Sequence, residues 1–304
     1  MRLEVKNLHK SFGEKEVLKG ISFEVQSGEA LGLLGRNGAG KTTTIRIIMQ
    51  LFAPNEGEVL LDGKPIDIRK TNIGYMPEER GLYPKKKVID QLIYFAELRG
   101  ISKAEATNNA DRLLERLYMT EYRNVKLDTL SKGNQQKIQL IATLVCNPDI
   151  VILDEPFSGL DPVNAMILKD LVKEIIAEGK LVVFSSHQMN YVEEFCKSIT
   201  IINAGEVAVT GEIKKIKHSY TKNKVSVITT APETVLNEVL KTDFVLNTVK
   251  TDDGLVIELA DGATINEIMG ALANSNAVFT GVTTYEPTLA EVFVDYTEDA
   301  EVVK

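Results

Sequence analysis

The chain has 304 residues, 44% apolar and 26% charged, with a formal net charge of −8, which fits one large and one small globular domain. No apolar run approaches the roughly 20 residues of a membrane span, and Met1-Arg2-Leu3-Glu4-Val5-Lys6 lacks the apolar core of a secretion signal. The charge is uneven: residues 221–304 hold 5 basic against 14 acidic side chains and the rest 30 against 29, so neither part has the basic surplus of a nucleic-acid surface.

Residues 1 to about 83 alternate short strands with turns. Val17–Val25 has the alternation of a half-buried strand, and Ala30–Leu34 is apolar throughout, as a fully buried strand is. Gly35-Arg36-Asn37-Gly38-Ala39-Gly40-Lys41-Thr42 comes next. Thr43–Phe52, with Ile45, Ile47, Ile48, Met49 and Leu51, then reads as a helix. Gly57–Gly63 reads as a strand closed by an Asp-Gly turn. The run Lys85-Lys86-Lys87 is a solvated corner or a touch on lipid headgroups. From about 87 to 146 the pattern is helical: Val88–Leu98 ending at Gly100, a second helix marked by Leu113, Leu114, Leu117 and Tyr118, and a third marked by Ile138, Leu140, Ile141, Leu144 and Val145.

Strands return at Ile150–Leu153, Leu181–Phe184 and Ser198–Asn203, with a helix over Asn164–Glu178. Such alternation implies a parallel sheet with covered faces. Cys146 and Cys196 form no metal or redox motif and are expected to be buried free thiols in a reducing cytoplasm. Lys214–Lys224, polar and basic, reads as a linker. Beyond it the order is strand Val225–Thr230, helix Pro232–Lys241, strands Phe244–Thr251 and Gly254–Ala260, helix Ile265–Asn274, strand Val278–Tyr285, then a last helix Pro287–Thr297. That order is the split-βαβ, ferredoxin-like plan, with Phe279, Tyr285, Phe293 and Tyr296 as its expected core. The expected domains are therefore 1–219, with a helical subdomain at about 87–146, and 220–304.

The stretch Gly35–Thr42 fits the phosphate-binding pattern G-x-x-x-x-G-K-[ST] at every fixed position. A strand that delivers a glycine-rich turn into a helix N-terminus aims backbone N–H groups and the helix dipole at one point, where a polyphosphate fits. Lys41 would reach the β- and γ-phosphates, Thr42 would ligate Mg²⁺, and Thr43 follows on the same helix end. Ile150–Leu153 ends in Asp154 and Glu155. Asp154 would hold Mg²⁺ directly or through water, and Glu155 would polarise the attacking water as a general base. Leu130-Ser131-Lys132-Gly133-Asn134-Gln135 opens the third helix with a capping serine.

With these motifs in this order, residues 1–215 resemble the ATP-binding subunits of ABC transporters. Gly35–Thr42 matches the Walker A motif, Ile150–Glu155 matches Walker B with its catalytic glutamate, and Leu130–Gln135 matches the LSGGQ signature. Ser158-Gly159-Leu160-Asp161 matches the D-loop and His187 the switch histidine, while Phe12 stands where an aromatic ring stacks on adenine. Two positions depart from the pattern. Glu78 replaces the usual glutamine, which keeps a metal-ligating oxygen but adds charge and loses an amide donor. The signature reads LSKGN, in which Ser131 and Gly133 are retained and Lys132 adds a cation near the γ-phosphate of the facing site. The run Pro77–Tyr83 around Glu78 and the acidic C-terminal extension resemble a bacterial branch that includes sodium-extruding export systems.

The resemblance implies a P-loop NTPase α/β core with a helical subdomain, plus the small α+β domain. It implies ATP and Mg²⁺ as cofactors, held by Phe12, Gly35, Arg36, Asn37, Gly38, Ala39, Gly40, Lys41, Thr42, Thr43, Ser131, Gly133, Gln135 and Asp161, with Thr42, Glu78 and Asp154 on the metal. Glu155 and His187 would be catalytic. It also implies a head-to-tail dimer, since Ser131 and Gly133 should lie far from Lys41 of the same copy; the partner is a second copy or a paralogue. A membrane permease would be driven by the pair, with the groove near Glu78–Tyr94 receiving one of its helices, so the chain is expected on the cytoplasmic face of the membrane and not on nucleic acid. The rival reading is a soluble ABC-type ATPase acting on ribosomes or DNA. A P-loop kinase or GTPase leaves Leu130–Gln135 unexplained and lacks N-K-x-D. The C-terminal domain would bind a small regulator, brace the dimer, shield an edge or only pack.

Overall fold

The computed structural model describes all residues except 80, 221–222, 275–277 and 299–304. They fall into two compact units, Met1–Ile213 with Phe293–Lys304, and Lys214–Val292. Arg80 of the expected Glu78 run and residues 221–222 of the expected linker lie outside the described residues.

The first unit opens with β1 (Arg2–Phe12) and β2 (Lys15–Gln26), which pair antiparallel. At 11 and 12 residues they exceed the short strands expected. Their register shifts between Val5 and Leu8, where Asn7 takes φ 48°, and such a bulge bends a long ribbon without ending it. Then come β3 (Ala30–Leu34), α1 (Lys41–Ile48), β4 (Glu56–Leu61), β5 (Lys64–Pro65) and β6 (Ile73–Met76). α1 stops short of the expected Phe52 because Gln50 is left-handed, φ 52°. The Asp62-Gly63 turn after β4 has both residues at positive φ, 51° and 76°, as a tight hairpin turn requires.

The helical segment is α2 (Val88–Leu98), α3 (Lys103–Arg116) and α4 (Lys132–Leu144). Tyr118, expected on the second helix, stands outside it with φ 56° and 72% exposed. The remainder is β7 (Ile150–Asp154), α5 (Pro162–Ala177), β8 (Leu181–Ser185), α6 (Met189–Phe195), β9 (Ser198–Asn203) and β10 (Glu206–Glu212). The sheet order β10-β9-β3-β8-β7-β6 is parallel except for the edge strand β10. All five residues of β3, β7 and β8 are buried, as strands covered on both faces are. A second sheet, β2-β1-β4-β5, shares one core with this one and with Ile45, Ile47 and Ile48 of α1. The C-terminal ends of β3 and β7 are thereby fixed side by side across β8.

The second unit begins at Lys214, within α7 (Ile213–Tyr220), a helix where the sequence suggested a linker: Ile213 and Ile216 recur at three residues and are both buried. β11 (Lys224–Ile228), α8 (Pro232–Val239), β12 (Val245–Thr251), β13 (Gly254–Leu259), α9 (Ile265–Ala273) and β14 (Gly281–Thr284) follow, before α10 (Leu289–Glu298). The sheet order β12-β13-β11-β14, antiparallel throughout, is the split-βαβ arrangement. Its core is aliphatic, built on Val225, Val227, Val235, Val239, Leu255 and Ile257, with Phe279 at its margin. Of the other aromatics expected there, Tyr285 donates to Glu291 at 2.8 Å, while Phe293 and Tyr296 belong to the first unit. Cys146 and Cys196 are free, the first half-buried and the second buried.

Candidate functional site

β3 delivers the glycine-rich turn from a fully buried strand, so the turn has little freedom of position. Gly35 abuts the Ile202 carbonyl so closely that no side chain fits, and Gly40, at φ 120°, would place a Cβ 2.6 Å from Leu18 Cδ2. Gly40 is also the N-cap of α1 and supplies no side-chain cap. The helix therefore presents free N–H groups at the turn, the arrangement that attracts an anion.

Lys41 is the charge at that point. It is buried, and its Nζ donates to Gly35 O at 2.6 Å and Arg36 O at 3.3 Å. Burial pulls the ammonium below its usual value, while Glu155, Asp154 and Glu78 oppose that shift. Asp154, last residue of β7, is also buried. Its carboxyl is pushed up chiefly by burial, with Ser185 and Lys41 lowering it and Glu78 and Glu155 raising it further. Asp154 Oδ2 and the nearby Ser185 Oγ have no properly formed hydrogen bond among the described residues. Burial together with Asp154 holds the Tyr75 phenol at about 12.

Glu155 takes φ 51°, a conformation costly for a residue with a Cβ. Its N–H donates to Ser185 O at 2.9 Å, which locks the β7 and β8 ends together. The side chain is buried, and Oε2 accepts from Ser186 Oγ at 3.3 Å and faces His187 Nδ1 at 2.9 Å. The imidazole itself is 63% exposed. A carboxylate paired to a histidine, one strand from a lysine at a helix N-terminus, can take a proton from water and steady the resulting charge.

Lys41, Thr42, Thr43, Glu78, Asp154, Glu155 and His187 line one cleft of about 830 Å³. Gly35, Arg36, Asn37, Gly38, Gly40 and Phe12 line it too. Phe12 is held edge-on against Phe52, centroids 5.4 Å apart, with Lys10 Nζ 5.3 Å from its ring. Ala39 is turned into the core and does not line the cleft; its N–H donates to Arg36 O at 3.1 Å. Mg²⁺ fits this set: Thr42 offers a hydroxyl, Glu78 and Asp154 offer carboxylates, and Asp154 Oδ2 lacks a donor. Among the described residues no cluster of three or more His, Cys, Asp or Glu forms a protein cage, but Mg²⁺ is usually bound by one or two carboxylates plus substrate phosphates.

Ser131, Gly133, Gln135 and Asp161 are not in the cleft. Ser131 caps α4, accepting from Asn134 N at 3.2 Å, and Gln135 Nε2 donates to Leu130 O at 3.0 Å and Leu127 O at 3.2 Å. Asp161 caps α5 through Val163 N and Asn164 N, and those bonds, led by Asn164, lower its carboxyl. Gly133 faces Asn164 so that the α4 and α5 starts form one patch.

Sequence reasoning missed two groups. Gln139 Nε2 donates to Pro77 O at 2.8 Å and Glu79 O at 3.2 Å, and Gln136 Nε2 to Pro156 O at 3.1 Å. These ties fix the Glu78 and Glu155 loops to α4; the available signal was amides falling on the apolar face of that helix. Lys15, Val17, Met189 and Phe293 also line the cleft, and no motif marked them.

Residues 18–158 match the ABC transporter family, and residues 211–297 match the C-terminal domain of DrrA1-3-like ATP-binding proteins. An ABC transporter ATP-binding protein of Bacillus subtilis, YhaQ, is 40% identical over 294 residues, 96% of this chain and 97% of its own. The Nod factor export ATP-binding protein I of Paraburkholderia xenovorans is 34% identical, covering 69% of this chain and 70% of its own. Among solved structures, an ATP-binding subunit of an ABC transporter superposes with TM-score 0.67 at 30% identity, over 72% of this chain and 93% of that one. A dimeric ATP-binding cassette bound to ADP and Pi gives TM-score 0.64 at 28% identity, over 69% and 98%.

Proposed function

The chain belongs to the ATP-binding subunits of ABC transporters, and from that premise we propose that it hydrolyses Mg-ATP between two copies, or between itself and a paralogue, to drive export through a separate membrane permease. The observation that carries this reading is the division of the motifs. The phosphate loop, Asp154, Glu155 and His187 share one cleft, whereas Ser131, Gly133 and Asp161 form a separate patch on the same unit. A head-to-tail partner brings its patch to this cleft.

In the closed pair the loop N–H groups and Lys41 hold the β- and γ-phosphates. Lys41 exchanges its two backbone carbonyls for phosphate oxygens, which removes part of its burial cost. Thr42, Asp154 and Glu78 would hold Mg²⁺, which would supply neutralising charge beside the phosphates. Glu155 takes the proton of the attacking water as its oxygen adds to the γ-phosphorus and the bond to ADP breaks. His187, positioned by Glu155, donates toward the γ-phosphate. Ser131 and Gly133 of the other copy bind the γ-phosphate, so its loss on hydrolysis weakens the pair.

No helix among the described residues is long and apolar enough to cross a membrane, and the permease would hold the protein at the cytoplasmic face. Its docking groove would include Tyr83, Tyr94 and Phe95, whose ring centroids lie 5.7–6.4 Å apart; Tyr83 and Tyr94 are 50% and 46% exposed. The export direction follows the relative from Paraburkholderia xenovorans. Glu155→Gln tests the reading: ATP should still bind and hold a dimer, while phosphate release stops. Normal turnover would remove the proton acceptor from this scheme.

A further inference from the structure

The end of the last helix is part of the first unit, from Phe293 onward. Asn203 Nδ2, at the end of β9, donates to Tyr296 O at 3.2 Å. Thr297 is buried, with its hydroxyl donating to Phe293 O at 2.8 Å. Asn203 leads into the turn between β9 and β10. There Gly205 donates to Ala39 O at 3.1 Å and accepts from Lys19 N at 2.8 Å. The same glycine approaches Val17 O so closely that a Cβ would lie 2.5 Å from it. The helix end is thus tied to a turn that touches both the glycine-rich loop and β2, close to the hairpin that carries Phe12. From that anchorage the half-buried Phe293 ring reaches the wall of the cleft.

The loop and Lys41 recognise the anionic end of a nucleotide. What remains is a flat purine on a ribose, and flat π surfaces are held by apolar rings. Phe12, 45% exposed, offers one phenyl ring. Phe293 offers the second among the described residues of the cleft wall. We propose that Phe293 and Phe12 together form the purine-binding surface, so that nucleotide affinity depends on the C-terminal helix. This rests on the reading of the cleft as the ATP site.

The test compares ATP with inorganic tripolyphosphate, which carries the same phosphates without a base, on the full chain. Phe293→Ala should weaken ATP binding about 5- to 30-fold, in line with the loss of one base-stacking ring, and leave tripolyphosphate within about twofold. Phe293→Tyr should restore ATP binding. Equal loss of both ligands would mean a merely structural ring, unchanged ATP affinity would mean an idle one, and tighter ATP binding would mean a plug; each overturns the proposal while leaving the cleft's function intact. If the wild-type chain binds neither ligand, the cleft reading itself fails. The chain has no tryptophan, so Phe293→Trp adds a single reporter that does not depend on the alanine variant folding. Its emission should change saturably with ATP and stay constant with tripolyphosphate, and a flat response to ATP would equally overturn the proposal.

Discussion

His187 Nδ1 stands 2.9 Å from Glu155 Oε2, on a glutamate that is buried and strained at φ 51°. The strain turns the carboxylate from the β7 end toward the cleft, and the imidazole approaches it from the solvent side. The two side chains are therefore expected to act as one unit. His187→Ala should lower the rate of phosphate release at least about tenfold, and Glu155→Gln about 100-fold or more. The double variant should be little slower than Glu155→Gln alone, because residues in contact do not contribute additively. Additive losses would separate the pair.

Lys41 is held by two carbonyls and has no carboxylate within salt-bridge distance among the described residues. Lys41→Ala should weaken ATP binding about 10- to 100-fold, the worth of charged hydrogen bonds to phosphate. A fluorescence titration with a labelled ATP checks this, and unchanged affinity would count against the loop as the phosphate site.

Asp154 gives a pH-dependent signature. Burial and the neighbouring Glu78 and Glu155 raise its carboxyl above the usual 3.8, so the folded chain binds this proton more tightly than the unfolded chain. The resulting stabilisation is complete below the unfolded value and is lost as pH rises through the higher folded one. Above that window the nucleotide-free protein carries the cost of a buried carboxylate. Asp154→Asn should raise its Tm by a few degrees near neutral pH, with the gain shrinking as pH falls, while Mg²⁺-dependent hydrolysis is lost. A Tm difference that is flat with pH would show that burial does not govern this carboxyl.

Gln139 ties α4 to the Glu78 loop through Pro77 O and Glu79 O. Gln139→Leu strands two carbonyls and should cost about 1–3 kcal/mol in urea unfolding. It should also reduce stimulation of ATPase activity by the permease more than it reduces basal activity. Equal effects on both would make the tie purely structural.

The parts of the site read directly from the sequence are those built on local chemistry. Gly35–Thr42 keeps its spacing because Gly35 abuts the Ile202 carbonyl and Gly40, at φ 120°, abuts Leu18, so neither tolerates a side chain, and Ile150–Glu155 is an apolar run that stops at charge. The order of elements after Lys224 was legible from periodicity alone. What was hidden depends on distant chain. Phe293 reads as one more aromatic in a C-terminal core, yet that core is aliphatic and the ring belongs to the first unit, where Asn203 bonds the Tyr296 carbonyl 93 residues further on. Gln139 looks like a polar break in an apolar helix until Pro77 and Glu79 are set against it. Tyr118 continued the apolar period beyond Arg116, and a left-handed residue ended the helix regardless.

The shared pocket is tested most directly by mixing two inactive chains. Lys41→Ala disables a copy's own phosphate loop. Ser131→Asp keeps an oxygen to cap α4 but places a negative charge where the facing γ-phosphate would bind. In a head-to-tail mixed pair, one site combines both lesions and the other combines neither. Phosphate release by the mixture should therefore recover well above that of either variant alone and rise more steeply than linearly with total protein at low concentration. A mixture as inactive as its components, beside a Ser131→Asp chain that still binds ATP, would contradict a site completed by a second copy.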